Sequence, residues 1–185
     1  MPKKIFISPS PDGLYDPESE EFIHAKPQTI TIEHSLVSVH KWESRWKVPF
    51  LEKVEKTPAQ VLDYIKCMTI TQNVDPNLYY FLTDENVKDI MSYVSDPMTA
   101  TTFRDDKRGN SGGPKERITA ELIYYWMISY QIPMECQKWH LEQLMTLIKI
   151  FDIKNTPAKK MGKGEIYSRN RALNAANRAR FHSKG

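Results

Sequence analysis

The stretch from Ile118 to Lys154, ITAELIYYWMISY then QIP then MECQKWHLEQLMTLIKIFDIK, decides the fold class. In its first half Ile118, Leu122, Tyr125, Trp126 and Ser129 recur at helical spacing, and in its second half Trp139, Gln143, Leu144, Leu147, Ile148 and Phe151 do the same. Pro133 lies between them, lacks the amide proton a helix interior needs, and turns Ile132 away from the α region. The spacing therefore predicts two amphipathic helices, with Pro133 opening the second and Glu135 beside the positive end of its dipole. A connection this short favours antiparallel packing. The expected core is then Trp126, Trp139, Leu144, Leu147, Ile148 and Phe151 together, each large side chain contributing about 1.5 to 3 kcal/mol when fully buried. The competing use of the aromatic stripe Tyr124, Tyr125, Trp126, Tyr130 and Trp139 is a groove for a partner.

Working outward, the same helical period appears upstream. Leu36, Val39, Trp42 and Trp46 mark one face of a helix that begins near Ser35, with Lys41, Glu43, Ser44 and Arg45 on the other face and Pro49 as its stop. Thr57-Pro58-Ala59-Gln60 is the best-signalled helix start: the Thr hydroxyl can accept from the amide three residues on, Pro suits the first helical position, and Gln60 can reach back. Val61, Leu62, Ile65 and Met68 give that helix its apolar face. Asp75-Pro76 makes a turn, and Thr83 caps a further helix over Asp84 to Tyr93, with Asp84 and Glu85 at its positive end.

The N-terminus has a different period. KKIFIS at Lys3–Ser8 and QTITIE at Gln28–Glu33 are short β-prone runs that could pair, although a lone hairpin is marginal in water and needs a helix beneath it or a neighbouring subunit. Arg104 to Lys115, rich in charge, Gly, Ser and Asn, reads as a flexible loop. After Lys154 a Pro- and Gly-containing linker leads to a basic helix from Glu165 to His182 with few apolar positions, which is expected to order on contact with something else. The expected fold class is therefore mainly α: an N-terminal β element and turn over residues 1–34, a compact multi-helix domain over 35–155 with a loop at 104–115, and a linker with a basic helical arm over 156–185.

At 185 residues with 40% hydrophobic and 26% charged residues, the composition is that of an ordinary single globular domain with tails. No apolar run approaches the roughly 18 residues needed to span a bilayer, and MPKKIFISPSP lacks an apolar signal core or a cleavage site. The chain reads as cytosolic, with no membrane among its partners. Charge is uneven: residues 159–185 carry eight Lys and Arg against Glu165, which is +7, so with a whole-chain charge of +3 everything before them sums to −4.

Candidate chemistry is thin. Cys67 and Cys136, the two cysteines, cannot form a disulfide framework or a four-cysteine zinc site and are expected as buried free thiols. Cys136 and His140, four apart, would share a helix face, but two ligands do not close a zinc site, and His24, His34, His40 and His182 have no completing spacing. Glu33, His34 and Glu43 are expected on the solvated surface, since an acid or base needs a partner that spacing does not show. Gly112-Gly113 lacks the GxxxxGK[ST] spacing of a phosphate loop. No catalytic residue, metal ligand or cofactor site is therefore assigned. The candidate functional residues are those of the basic arm: Lys159, Lys160, Lys163, Ile166, Arg169, Arg171, Leu173, Arg178, Arg180 and Phe181. Such a stripe suits an acidic protein partner or, through counterion release, a nucleic acid, although aromatic interleaving for base stacking is almost absent.

Several strings together, ITIEHSLVSVHKWESRW, LDYIKCMTI, DPMTATTF, YYWMISYQIPMECQKWHLEQLMTLIKIFDIKN and RNRALNAANRARFHSKG, resemble small proteins from the morphogenesis modules of tailed bacteriophages, of the kind assigned as tail assembly chaperones. The resemblance covers most of the chain. It implies a mostly helical, non-enzymatic protein of the host cytoplasm that binds tape-measure or tail-tube subunits during assembly. The basic C-terminal segment does not map onto a defined chaperone function. It keeps open a virion structural component, in the tail or connector, with a docking arm, and a small nucleic-acid-binding protein.

Overall fold

A computed structural model describes residues 2–17, 20–103, 117–155 and 162–182. Alternation of isoleucine with polar residues makes the two N-terminal runs into strands. β1 (Lys3–Ile7) pairs antiparallel with β4 (Gln28–Ile32), Ile5 opposite Ile30, so that Ile5, Ile7, Ile30 and Ile32 fall on one buried face. Main-chain bonds prolong this edge into the helical region, from Glu33 N–H to the Met68 carbonyl at 2.8 Å and from Ile70 N–H to the Thr31 carbonyl at 2.9 Å. Between these strands lies a second, separate sheet absent from the sequence reading, β2 (Leu14–Asp16) against β3 (Glu21–Ile23).

The helices are α1 (Leu36–Trp46), α2 (Pro58–Met68), α3 (Asp84–Val94), α4 (Ala120–Ser129), α5 (Leu141–Asn155) and α6 (Lys163–Phe181). The architecture is thus mainly α with small N-terminal strands. Contacts divide the chain into two compact units, Met1–Phe151 and Asp152–Gly185, so the β element belongs with the helices of the first.

Helix α1 organises the first unit, packing against α2, α4 and the 3₁₀ turn Met134–Lys138. Its inner line is Leu36, Val39 and Trp42, and it ends where Lys47 turns left-handed (φ 55°) and donates to the Glu43 carbonyl, two residues ahead of Pro49. Thr57 caps α2 as its sequence requires: Gln60 N–H donates to Thr57 Oγ1 at 3.3 Å and Thr57 N–H to Gln60 Oε1 at 2.9 Å. Two indoles clasp α1 to α2, Trp42 Nε1 donating to the Gln60 carbonyl and Trp46 Nε1 to Asp63, both at 2.9 Å. Thr83 and Asn86 cap α3 in the same reciprocal way.

The central pair departs from expectation in phase. Pro133 caps the 3₁₀ turn Met134–Lys138 rather than a long helix, and Trp139 is extended (φ −69°, ψ 161°) before α5 starts at Leu141. A residue outside the helix does not share its stripe, so α5 buries Leu141, Leu144 and Ile148, and Trp139 is 41% exposed. Trp139 is therefore corrected from core to surface. Leu144 and Ile148 are buried, while Leu147, Phe151 and Trp126 are half-buried against the core. On α4 the innermost line is Ala120, Ile123 and Met127, with Tyr125 exposed. The Tyr130 and Phe151 rings stack at 5.6 Å, joining the end of α4 to α5.

Candidate functional site

Two histidines expected on the surface or on a helix face are instead sealed inside. His34, between β4 and α1, and His140, just before α5, are each 2% exposed, their ring centroids 4.9 Å apart. The chain brings them together by a single bridge between extended residues, in which Leu141 N–H donates to the His34 carbonyl at 2.9 Å. The His34 main-chain N–H donates to the Tyr93 hydroxyl at 3.3 Å, and His34 Nδ1 meets the Tyr64 hydroxyl at 2.5 Å. Tyr64 also stands 3.3 Å from Ser38 Oγ, whose own hydrogen goes to the Ser35 carbonyl at 2.8 Å. One polar junction thereby ties α1, α2, α3 and the start of α5.

The proton positions follow from the partners. His140 Nε2 lies 3.0 Å from the Tyr93 carbonyl, which can only accept, so Nε2 carries the hydrogen and Nδ1 is a bare lone pair. That Nδ1 is buried without a hydrogen-bond partner. A second proton there would place a charge among rings of low polarity, and both imidazoles accordingly resist protonation. Burial, assisted by the neighbouring His140, pushes His34 down to about 3, and burial lowers His140 as well. Burial in turn raises the Tyr64 and Tyr93 phenols, so all four rings are neutral at pH 7. At 2% exposure neither imidazole can meet a substrate, and the junction is built to hold the helices.

Glu43 is the second correction. It is 7% exposed rather than solvated, and its carboxylate accepts from Phe50 N–H and from Ala120 N–H, both at 2.7 Å. Ala120 is the first residue of α4, whose leading amides have no partner within the helix, so a carboxylate from α1 satisfies one of them and complements the dipole. Cys136 lies in the 3₁₀ turn and His140 beyond it, so they do not share one helix face. Both cysteines are buried and free. Among the described residues no three His, Cys, Asp or Glu side chains stand together as a metal site.

A surface hollow of about 260 Å³ lies beside Trp42, Val48, Pro49, Val54 and Lys56. Lys56 Nζ sits 5.8 Å from the ring centroid of Trp42, which lines the hollow, and 4.6 Å from that of Phe50 nearby, and partial burial lowers its pKa. The hollow is smaller than the roughly 300 to 1,000 Å³ usual for small-molecule sites, and the Lys56 ammonium already stands over the Trp42 ring.

The arm residues remain. Lys163, Ile166, Arg169, Arg171, Leu173, Arg178, Arg180 and Phe181 all lie on α6 and are exposed; Lys159 and Lys160, like the loop at 104–115, lie outside the described residues. Seven residues are close to two helical turns, so Ile166 and Leu173 fall in line with Arg169 and Arg180 beside them, while Arg171 and Arg178 form a second line. Arg180 lies 5.5 Å over the Phe181 ring. No helix among the described residues is long and apolar enough to cross a membrane. Comparison of the chain with protein-family models, with curated proteins and with solved structures found no match.

Proposed function

We propose that the chain is a non-enzymatic assembly protein that engages tail or tape-measure subunits of a tailed bacteriophage through its basic arm, acting as a tail assembly chaperone. One observation carries this reading: α6 presents arginines together with Ile166, Leu173 and Phe181 on an exposed helix. A nucleic acid would use the arginines and leave the apolar side chains in water, whereas an acidic protein groove takes both. Burying those few side chains offsets part of the ordering cost of the arm, which is roughly 1 to 2 kcal/mol per residue for the backbone. The sequestration of His34 and His140 and the use of Glu43 as a helix tie favour a binding role over catalysis, since the imidazoles are sealed from solvent, His34 against the Tyr64 hydroxyl and His140 against the Tyr93 carbonyl, and the Glu43 carboxylate is committed to main-chain amides.

The test is mass spectrometry of washed particles beside the infected-cell lysate. A chaperone co-purifies with unassembled tail proteins and is missing from the particles. Stoichiometric persistence in the particle would replace this role with that of a virion component, and salt-steep binding to DNA or RNA in place of tail protein would replace it with nucleic-acid binding.

A further inference from the structure

Helix α6 has two sides of different chemistry. At about 100° per residue, Lys163, Tyr167, Arg171, Asn174, Arg178 and Phe181 fall within about 80° of one another, while Ile166 and Leu173 lie about 120 to 160° round the helix from Arg171 and Arg178. The helical phase thus gathers onto one face the cations and rings that the sequence spreads over 19 residues. Tyr167 and Phe181 are 74% and 68% exposed, more open than any other large apolar side chain among the described residues. No Asp or Glu follows Glu165 in the chain, so Arg171 and Arg178 have no acidic neighbour within a turn of their own helix.

Along this face the order is ring, cation, cation, ring. Tyr167 and Phe181 are about 21 Å apart on the helix axis, with Arg171 and Arg178 about 10 Å apart between them. A carboxylate surface would satisfy the guanidinium groups and offer the open rings nothing flat. A duplex would bring phosphates, but its bases are stacked on one another. An unpaired strand brings both partners at once: phosphates for the arginines and free base faces for the rings, and such stacking tolerates any base because each has a π-face.

We propose that this face of α6 binds single-stranded nucleic acid, with phosphates against Lys163, Arg171 and Arg178 and unpaired bases stacked on Tyr167 and Phe181. Phosphates and base faces are common to RNA and DNA, so both kinds of strand are taken. The proposal goes beyond the tail-assembly reading, because the Ile166–Leu173 line points the other way and stays available to a protein. A strand and a protein can therefore be held by one arm at the same time. The strand-binding face stands or falls whether or not a tail subunit is ever bound.

Fluorescence anisotropy of labelled oligo-dT and oligo-U, each of about 20 nucleotides, with the purified, nuclease-treated full-length protein tests it between about 0.05 and 0.2 M salt, at protein up to about 0.1 mM. Three neutralised phosphates give a log–log salt slope of about −2, a fall in affinity of about twentyfold across that range. Arg171→Gln with Arg178→Gln brings the slope to about −0.7 and weakens binding at low salt about tenfold or more. Tyr167→Ala with Phe181→Ala also weakens it about tenfold or more but leaves the slope unchanged, since stacking releases no counterions, and has no effect on binding to a duplex. Lys53→Gln with Lys88→Gln, which removes the same charge from the first unit, and Ile166→Ser with Leu173→Ser, on the other side of α6, each leave binding within about twofold. Far-UV circular dichroism verifies that each variant keeps its helices. No rise in anisotropy at about 0.05 M salt, a loss shared equally by the Lys53 and Lys88 variant, or a ring variant that binds as well as the unaltered protein would overturn the proposal. Poly-glutamate that displaces the strand charge for charge would assign the face to an acidic protein and overturn it as well.

Discussion

Lowering the pH from 7 to 5 will destabilise this protein through the His34–His140 junction, before its carboxylates take up protons in number. In the unfolded chain both imidazoles titrate near about 6.5. In the fold His34 is held down at about 3 and His140 is lowered too. The unfolded state therefore binds the protons more readily. The stability contributed by neutral imidazoles is complete above about pH 6.5 and is lost as pH falls toward 3, at about 1.4 kcal/mol per pH unit per group. His34 alone costs about 2 kcal/mol between pH 6.5 and 5, and His140, lowered by burial, adds to the loss in the same direction. With an m-value of about 2 kcal/mol/M, the His34 part alone is a fall of about 1 M in the urea midpoint, read by tryptophan fluorescence at half-unit steps of pH. His34→Gln with His140→Gln lowers stability at pH 7 and flattens the profile; His140→Gln alone, which keeps the Tyr64 contact, removes part of the slope. Wild type and double variant with equal slopes over pH 5 to 7 would refute the assignment of the acid sensitivity to this pair.

Glu43→Ala leaves two main-chain donors without their carboxylate and is expected to cost about 3 to 5 kcal/mol in urea unfolding, with Glu43→Gln costing less because one amide oxygen can still accept. Trp42→Ala, which removes a fully buried indole and its bond to Gln60, costs about 3 to 5 kcal/mol, whereas Trp139→Ala costs less than about 1.5. Equal losses for the two tryptophans would return Trp139 to the core and contradict the extended segment before α5.

Local chemistry made the helix starts legible. Thr57-Pro58-Ala59-Gln60 and Thr83 cap their helices as written because a cap is settled within four residues, and the alternating isoleucines of QTITIE settle a strand in the same way. The phase of the central pair was not legible. Pro133 permits either a first helical turn or a 3₁₀ turn, and the second is found together with a main-chain bond from Leu141 to His34, a distant segment that spacing does not reveal. The buried polar groups were hidden for the same reason. His34 finds its partners 30 and 59 residues away and Glu43 reaches an amide 77 residues away, so a residue that reads as surface on its own helix becomes interior only when the segments meet. Ala120 shows the converse: beside the aromatic stripe of Tyr125 and Trp126 a small residue gives no strong sequence signal, yet it is fully buried and its amide donates to Glu43.

The arm carries the functional proposal, and deleting residues 159–185 tests it most directly. The account predicts that the truncated protein melts within about 2 °C of the full-length chain, because the buried core lies before Phe151, and that it no longer captures tail-tube or tape-measure protein. A truncated protein that still captures that partner while losing salt-sensitive affinity for DNA or RNA would contradict it.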